Sequence, residues 1–270
     1  MILENDILSN ESSALIKEFY FAHIPATSGI KLKPVIDDGC YDFIFFNEKQ
    51  TALEFGKNKK KLPIDYDTFT ISLSEPPYKL KFDNSITFFT IKVQPWFNAS
   101  FFPLNKFHKQ EGIINLESLY GKEVTKLHQE LFSSNDFEEQ KKLALNFVEK
   151  NKPIFTEEIR LVKSVCEKIY EKKGITSVQE LAQQFELSRQ TINKIFKNEV
   201  TYTLKKFIVI VRIMEVIKHK VRHHNLSFTE LSYEFGYFDQ AHFNNDFKRI
   251  CGVSPSAFFK DLPPFLERHK

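Results

Sequence analysis

Two stretches of this 270-residue chain repeat one another, and that repeat narrows its possible folds more than anything else in it. Ser177-Val-Gln-Glu-Leu-Ala-Gln-Gln-Phe185 and Ser227-Phe-Thr-Glu-Leu-Ser-Tyr-Glu-Phe235 share one skeleton at an offset of 50, pairing Ser177 with Ser227, Glu180 with Glu230, Leu181 with Leu231 and Phe185 with Phe235. Beyond a turn, Ile192, Phe196 and Lys197 match Phe243, Phe247 and Lys248 at an offset of 51, so the second turn is one residue longer. Each copy opens on Ser with Glu three residues later, the spacing at which two side chains satisfy orphan N–H groups at a helix start. In the second copy Leu231, Phe235, Phe243 and Phe247 recur three and four apart on either side of Gly236, a residue suited to a turn. Each copy therefore reads as helix, turn, helix, and the repeat predicts two such modules, 177–197 and 227–249.

Between the copies, Leu204 to Val221 is apolar on nearly every side of a helix, with Phe207, Ile208, Val209, Ile210, Val211, Ile213, Met214, Val216 and Ile217. A helix hydrophobic all round is buried all round, as one wedged between two modules would be. Its length of about 27 Å is of the order needed to hold two helices about one DNA turn, 34 Å, apart. Lys218, Lys220, Arg222, His219, His223 and His224 crowd its end, where a solvated helix terminus and phosphate contact are both open readings.

The length favours two domains. Lys150-Asn-Lys-Pro153 marks the junction, because Pro disfavours helix before it and the polar run has nothing to bury. The expected division is residues 1–152, residues 153–262 and a tail at 263–270. Residues 1–155 carry 19 Lys and Arg against 21 Asp and Glu, whereas residues 156–262 carry 17 against 13, so the excess of positive charge sits in the back half. Cys40, Cys166 and Cys251 are scattered and lack metal-ligand spacing, which fits reduced thiols and no zinc framework. The N-terminus has no basic region before an apolar run, and the longest apolar run stops at Arg212, so a soluble, cytoplasmic protein is expected.

The front half reads as short strands. Thr68–Leu73 and Tyr78–Phe82 alternate apolar and polar residues, Val35–Phe46 is broken at Asp37-Asp38-Gly39, and a basic tip at Lys57–Lys61 interrupts the next pair. Regular strands and turns suggest an antiparallel barrel or sandwich. After Ile86–Val93, Pro95 and Pro103 end strand structure. Leu116, Leu119, Tyr120, Val124, Leu127 and Leu131 then repeat at helical spacing, and an Asp136/Glu139 capping box opens a second helix, giving a helical hairpin over 115–149. Its outer face is suited equally to packing on the strands and to a second subunit. The fold class expected is thus α+β: an antiparallel β-barrel with a helical hairpin, then an all-α domain.

The second helix of the second module carries Gln240, His242, Asn244, Asn245, Lys248 and Arg249 between its apolar positions, a mixture of base-edge hydrogen-bonding groups and phosphate-binding cations. Phe235-Gly-Tyr-Phe-Asp-Gln-Ala-His-Phe243, with Phe247-Lys-Arg249 and Gly252-Val-Ser-Pro255, resembles the AraC family of bacterial transcription regulators, over roughly residues 160–260. The resemblance implies base-facing positions at Gln190, Asn193 and Lys194 in the first module and at Ala241, His242 and Asn245 in the second. Phosphate contacts are expected from Arg189, Lys197, Lys248 and Arg249. The chain departs from the family, which usually has Gly at the position of Val200, Pro at that of Thr203, and Arg at those of Asn245 and Phe259. With Asn245 in place of a guanine-reading arginine, base specificity is expected mainly from the first module.

Ile36-Asp-Asp-Gly-Cys-Tyr-Asp42 and Ile91-Lys-Val-Gln-Pro95 look like the cupin-like sensor domains of some members, in which a small molecule shifts DNA occupancy. A packed Phe core and a ligand pocket are both open there. His23, His108 and His128 are not at cupin metal spacing, so neither metal, cofactor nor enzymatic activity is expected. The expected partner is double-stranded DNA, with RNA polymerase, a small-molecule effector and a second copy of the chain as further partners and no membrane. The competing reading is a degenerate regulator that acts by binding other regulators instead of DNA.

Overall fold

The computed structural model describes residues 2–7, 14–25, 31–47, 51–55, 60–72, 78–82, 85–103, 112–260 and 262. The chain divides into two compact units. The first comprises Met1–Lys33, Cys40–Glu75 and Lys79–Ile154; the second comprises Phe155–Lys270 together with Pro34–Gly39 and Pro76–Tyr78.

In the first unit the strands are β1 (Ile2–Ile7), β2 (Ile16–Ile24), β3 (Lys31–Val35, whose last two residues fall to the second unit), β4 (Asp42–Phe46), β5 (Thr51–Phe55), β6 (Lys60–Ile64), β7 (Thr68–Ser72), β8 (Tyr78–Phe82, whose first residue falls to the second unit), β9 (Ile86–Val93) and β10 (Gly112–Asn115). They form a six-stranded sheet in the order β1-β2-β9-β4-β7-β10 and a four-stranded sheet in the order β3-β8-β5-β6. The expected barrel is therefore two sheets, and the larger one ends on β1 and β10, so its ladder does not run full circle. β2 pairs antiparallel with β9 from Ile16↔Val93 to Ile24↔Ile86, slipping between Ile16 and Glu18. The β5–β6 pair places Phe55 opposite Lys60, while the rest of the basic tip, residues 56–59, lies outside the described residues.

Phe19, Phe43, Phe45, Phe46, Phe69, Phe89, Phe97, Phe101 and Phe102 are fully buried and fill this unit. Pro95–Phe97 forms a 3-10 turn leading into α1 (Asn98–Phe101), as two prolines flanking an aromatic run require. The helical hairpin follows as α2 (Glu117–Tyr120), α3 (Lys122–Ser133) and α4 (Phe137–Lys150). The first helical run is not continuous, because Gly121 at φ +59 breaks it between α2 and α3. Asp136 caps α4, but through Glu138 N; Glu139 takes the Ser134 hydroxyl at 2.5 Å instead of closing a reciprocal box. The ring of Phe43 contacts Phe101, Phe102, Tyr120 and Phe147, which joins sheet to helices through one aromatic cluster.

The second unit holds α5 (Glu157–Glu171), α6 (Val178–Gln184), α7 (Arg189–Val200), α8 (Leu204–Arg222), α9 (Phe228–Glu234), α10 (Gln240–Cys251) and α11 (Pro255–Lys260). Thr156 caps α5, and the chain leaves that helix through Lys173 and Gly174, both at positive φ. Leu204, Phe207, Ile208, Ile210, Val211, Ile213, Val216, Ile217 and Val221 of α8 are buried, as an all-apolar helix demands. Phe196 of α7 stacks edge-on against Phe207, and α10 packs on α8 as well, so both modules close on one helix. The tail at 263–270 lies outside the described residues. None of the described helices is long and apolar enough to cross a membrane.

Candidate nucleic-acid interface

Both repeat copies begin with complete capping boxes. Ser177 and Ser227 accept from the backbone N–H of Glu180 and Glu230, whose carboxylates accept in return from the N–H of Ser177 and Ser227. The Thr176 hydroxyl and the Ser177 N–H hold the Glu180 carboxyl below the usual carboxylate range, and the Ser227 hydroxyl and N–H do the same for Glu230. The turns differ as the offsets require. Residues 185–188 connect α6 to α7, whereas residues 235–239 connect α9 to α10. The inserted residue is Phe238, 88% exposed, next to the cap of α10.

Ser188 caps α7 through Thr191 N, and Asp239 caps α10 through His242 N at 2.7 Å. These caps fix where each second helix begins, and hence which residues leave its first turn. Sequence reading passed over both, although each is a preferred capping residue at the end of its turn.

On α7, Arg189, Gln190, Lys194 and Lys197 are exposed, while Ile192, Phe196 and Val200 are buried. Asn193 is half-buried and its amide donates to the Arg189 carbonyl at 2.7 Å, so its donor points back along the helix. On α10, Ala241, His242, Asn245, Lys248 and Arg249 are exposed and Phe243, Phe247 and Ile250 are buried. Among the described residues, Arg189, Lys194, Lys197 and Lys248 form no ion pair with a carboxylate.

Arg249 is different. Its guanidinium pairs with Asp246 at 2.7 Å, and His242 Nε2 lies 3.7 Å from the same carboxylate. Asp246 is only 6% exposed, so one buried acid orients two outward side chains of α10. The i, i+4 and i, i+3 spacing of His242, Asp246 and Arg249 carried that signal in the sequence.

The departures from the family pattern also resolve. Thr201 takes the left-handed C-cap of α7 at φ +71, matching Gly252 at φ +78 of α10, so the glycine counterpart is Thr201 and not Val200. Thr203 caps α8 as Ser254 precedes α11, which places the proline counterpart at Leu204 and not at Thr203. Phe259 joins Phe228, Phe247 and Phe258 in a ring cluster, so an apolar contact stands where an arginine is usual. At the end of α8, Lys220 donates to the carbonyls of His224 and Leu226 in the loop that leads to α9.

Two helix-turn-helix modules on a shared buried helix define a class of fold that lays its second helix in the DNA major groove. The family model for a helix-turn-helix domain matches residues 181–261. The Msm operon regulatory protein of Streptococcus mutans is 33% identical over 85 residues, 32% of this chain and 30% of that protein. The HTH-type transcriptional activator RhaS of Escherichia coli is 30% identical over 87 residues, 32% of this chain and 31% of its own. The alignments thus span less than a third of these relatives. A solved apo variant of ToxT from Vibrio cholerae shares the fold at a TM-score of 0.50 and 13% identity, over 91% of this chain and 98% of that one.

Proposed function

We propose that the chain is a sequence-specific DNA-binding transcription regulator that reads two adjacent major-groove segments with α7 and α10. The observation that carries this reading is the pair of second helices, each capped at its start, buried on one face against the core around α8, and exposing cations and amides on the other. Gln190 and Lys194 of α7 are the base readers, with Asn193 between them contributing its carbonyl oxygen. Ala241, His242 and Asn245 face bases on α10. Arg189, Lys197 and Lys248 meet phosphates without competition from a carboxylate, and Arg249 does so while its other side is held by Asp246.

The division of labour follows. The first module supplies most of the specificity, because Ala241 offers only a methyl group where α7 offers Gln190. In this reading residues 1–152 regulate, with a second copy meeting the α3–α4 hairpin and an effector competing with buried Phe rings for the interior.

The test is a salt-titrated gel shift on duplexes selected by the protein from a randomised pool. Replacing Lys194 and Lys248 together with alanine lowers affinity, and the loss of the phosphate-facing Lys248 flattens the salt dependence by about one unit. Unchanged binding would overturn the residue assignment. Failure to bind any duplex at low salt, alongside tight association with other regulators, would favour the protein-interaction reading.

A further inference from the structure

The two modules meet around one side chain of α8, Arg212. Its Nε donates to the Gly174 carbonyl at 2.8 Å and its Nη2 to the Thr176 carbonyl at 3.4 Å, so the guanidinium grips the loop that leads into α6. The same guanidinium lies over the ring of Tyr237, 5.1 Å from its centroid. Tyr237 is 3% exposed and belongs to the turn between α9 and α10. One rigid, planar group therefore holds the entry of the first module and the turn of the second.

Packing at two glycines shows how closely the parts fit. A Cβ on Gly174 would stand 2.5 Å from Arg212 N and 2.7 Å from Ile208 O, so the loop rests on the backbone of α8. A Cβ on Gly236 would come within 3.0 Å of Ile175 Cγ2, so the lead-in loop of the first module abuts the turn of the second. The apolar contacts around α8 are close-packed but carry no hydrogen-bond direction. Hydrogen bonds to two carbonyls, with a ring on the same guanidinium, supply that direction.

We propose that Arg212 is a positioning residue that fixes the separation and phase of α7 and α10, so that the protein accepts its two DNA half-sites at one spacing. The proposal rests on the DNA-reading function above. Each added base pair shifts one half-site by about 3.4 Å and rotates it about the duplex axis, which two clamped helices cannot follow. Two loosened helices can.

The experiment selects duplexes from a randomised pool with the full chain and then varies the spacing in the best of them. The wild-type chain yields two sequence blocks at a single separation, and one inserted base pair weakens binding by about tenfold or more. Arg212→Met weakens the original duplex several-fold and shrinks the insertion penalty to about threefold or less, because preorganisation is lost. Arg212→Lys keeps the charge, loses the fork and behaves like Arg212→Met; full rescue by lysine would overturn the clamp in favour of a simple charge effect. Tyr237→Leu, which keeps the apolar packing and removes the ring, relaxes the spacing in the same direction and decides the matter if Arg212→Met does not fold. A spacing penalty unchanged in the folded variants overturns the clamp alone. A wild-type chain that selects no sequence overturns the DNA-reading function and this proposal with it.

Discussion

The two helix-turn-helix copies share caps, core positions and a supporting helix, yet they differ at the surface that matters. The α7 face carries Arg189, Lys194 and Lys197 with no carboxylate paired to any of them among the described residues. The α10 face carries a buried acid, Asp246, that engages Arg249 and His242, and its turn carries an extra, exposed Phe238. Duplication fixed the scaffold and left the outward residues free to diverge. The core needs Leu, Ile and Phe at set positions, whereas an exposed position costs little whatever occupies it.

The largest effect should come from removing a core residue that both copies depend on. Phe196 is fully buried against Phe207, so Phe196→Ala should cost about 3–5 kcal/mol in denaturant unfolding. Since Phe207 belongs to the helix that supports both copies, hydrogen exchange should quicken in α10 as well as in α7. Acceleration confined to α7 would mean that the copies fold separately.

A smaller effect is expected where the copies differ. Asp246→Asn removes the charge that holds Arg249, and leaving that site imperfectly paired should cost about 1–3 kcal/mol. The freed guanidinium should steepen the salt dependence of DNA binding by about one unit. An unaltered salt slope in the folded variant would place Arg249 away from phosphate.

The smallest effects should be equal in the two copies. Ser177→Ala and Ser227→Ala each remove an N-cap and should lower stability by about 1 kcal/mol, read by thermal melting. The partner carboxyls of Glu180 and Glu230 are held below their ordinary range, so their contribution is present above the unfolded-state value and disappears as pH falls through the folded-state one. The serine variants should therefore lose less stability than the wild type on acidification. A difference between the two copies would show that one box is strained by its neighbours.

Much of the fold was legible because its signals are local. Reciprocal Ser/Glu caps, apolar residues at three- and four-residue spacing and the all-apolar stretch of α8 each act within a turn or two of helix, and all appear in the structure. The hairpin α3–α4 was legible for the same reason, although Gly121 cut its first helix and Glu139 found Ser134 as a closer partner. At the interface, the residues on α7 and α10 could be listed from spacing, but the inward turn of the Asn193 amide could not, since exposure and a competing carbonyl decide it.

Neighbouring residues alone settle the duplicated modules, their starts, the burial of the helix between them and the cationic character of the outward faces, because periodicity and capping act over a few positions of the chain. Folding in three dimensions was needed to settle that the strands form two sheets, that Thr201 takes the left-handed cap, and that Arg212 reaches two carbonyls and a ring from distant parts of the chain. Those outcomes depend on which remote groups are brought together, and a half-buried cation takes whichever acceptors the packing leaves without another donor.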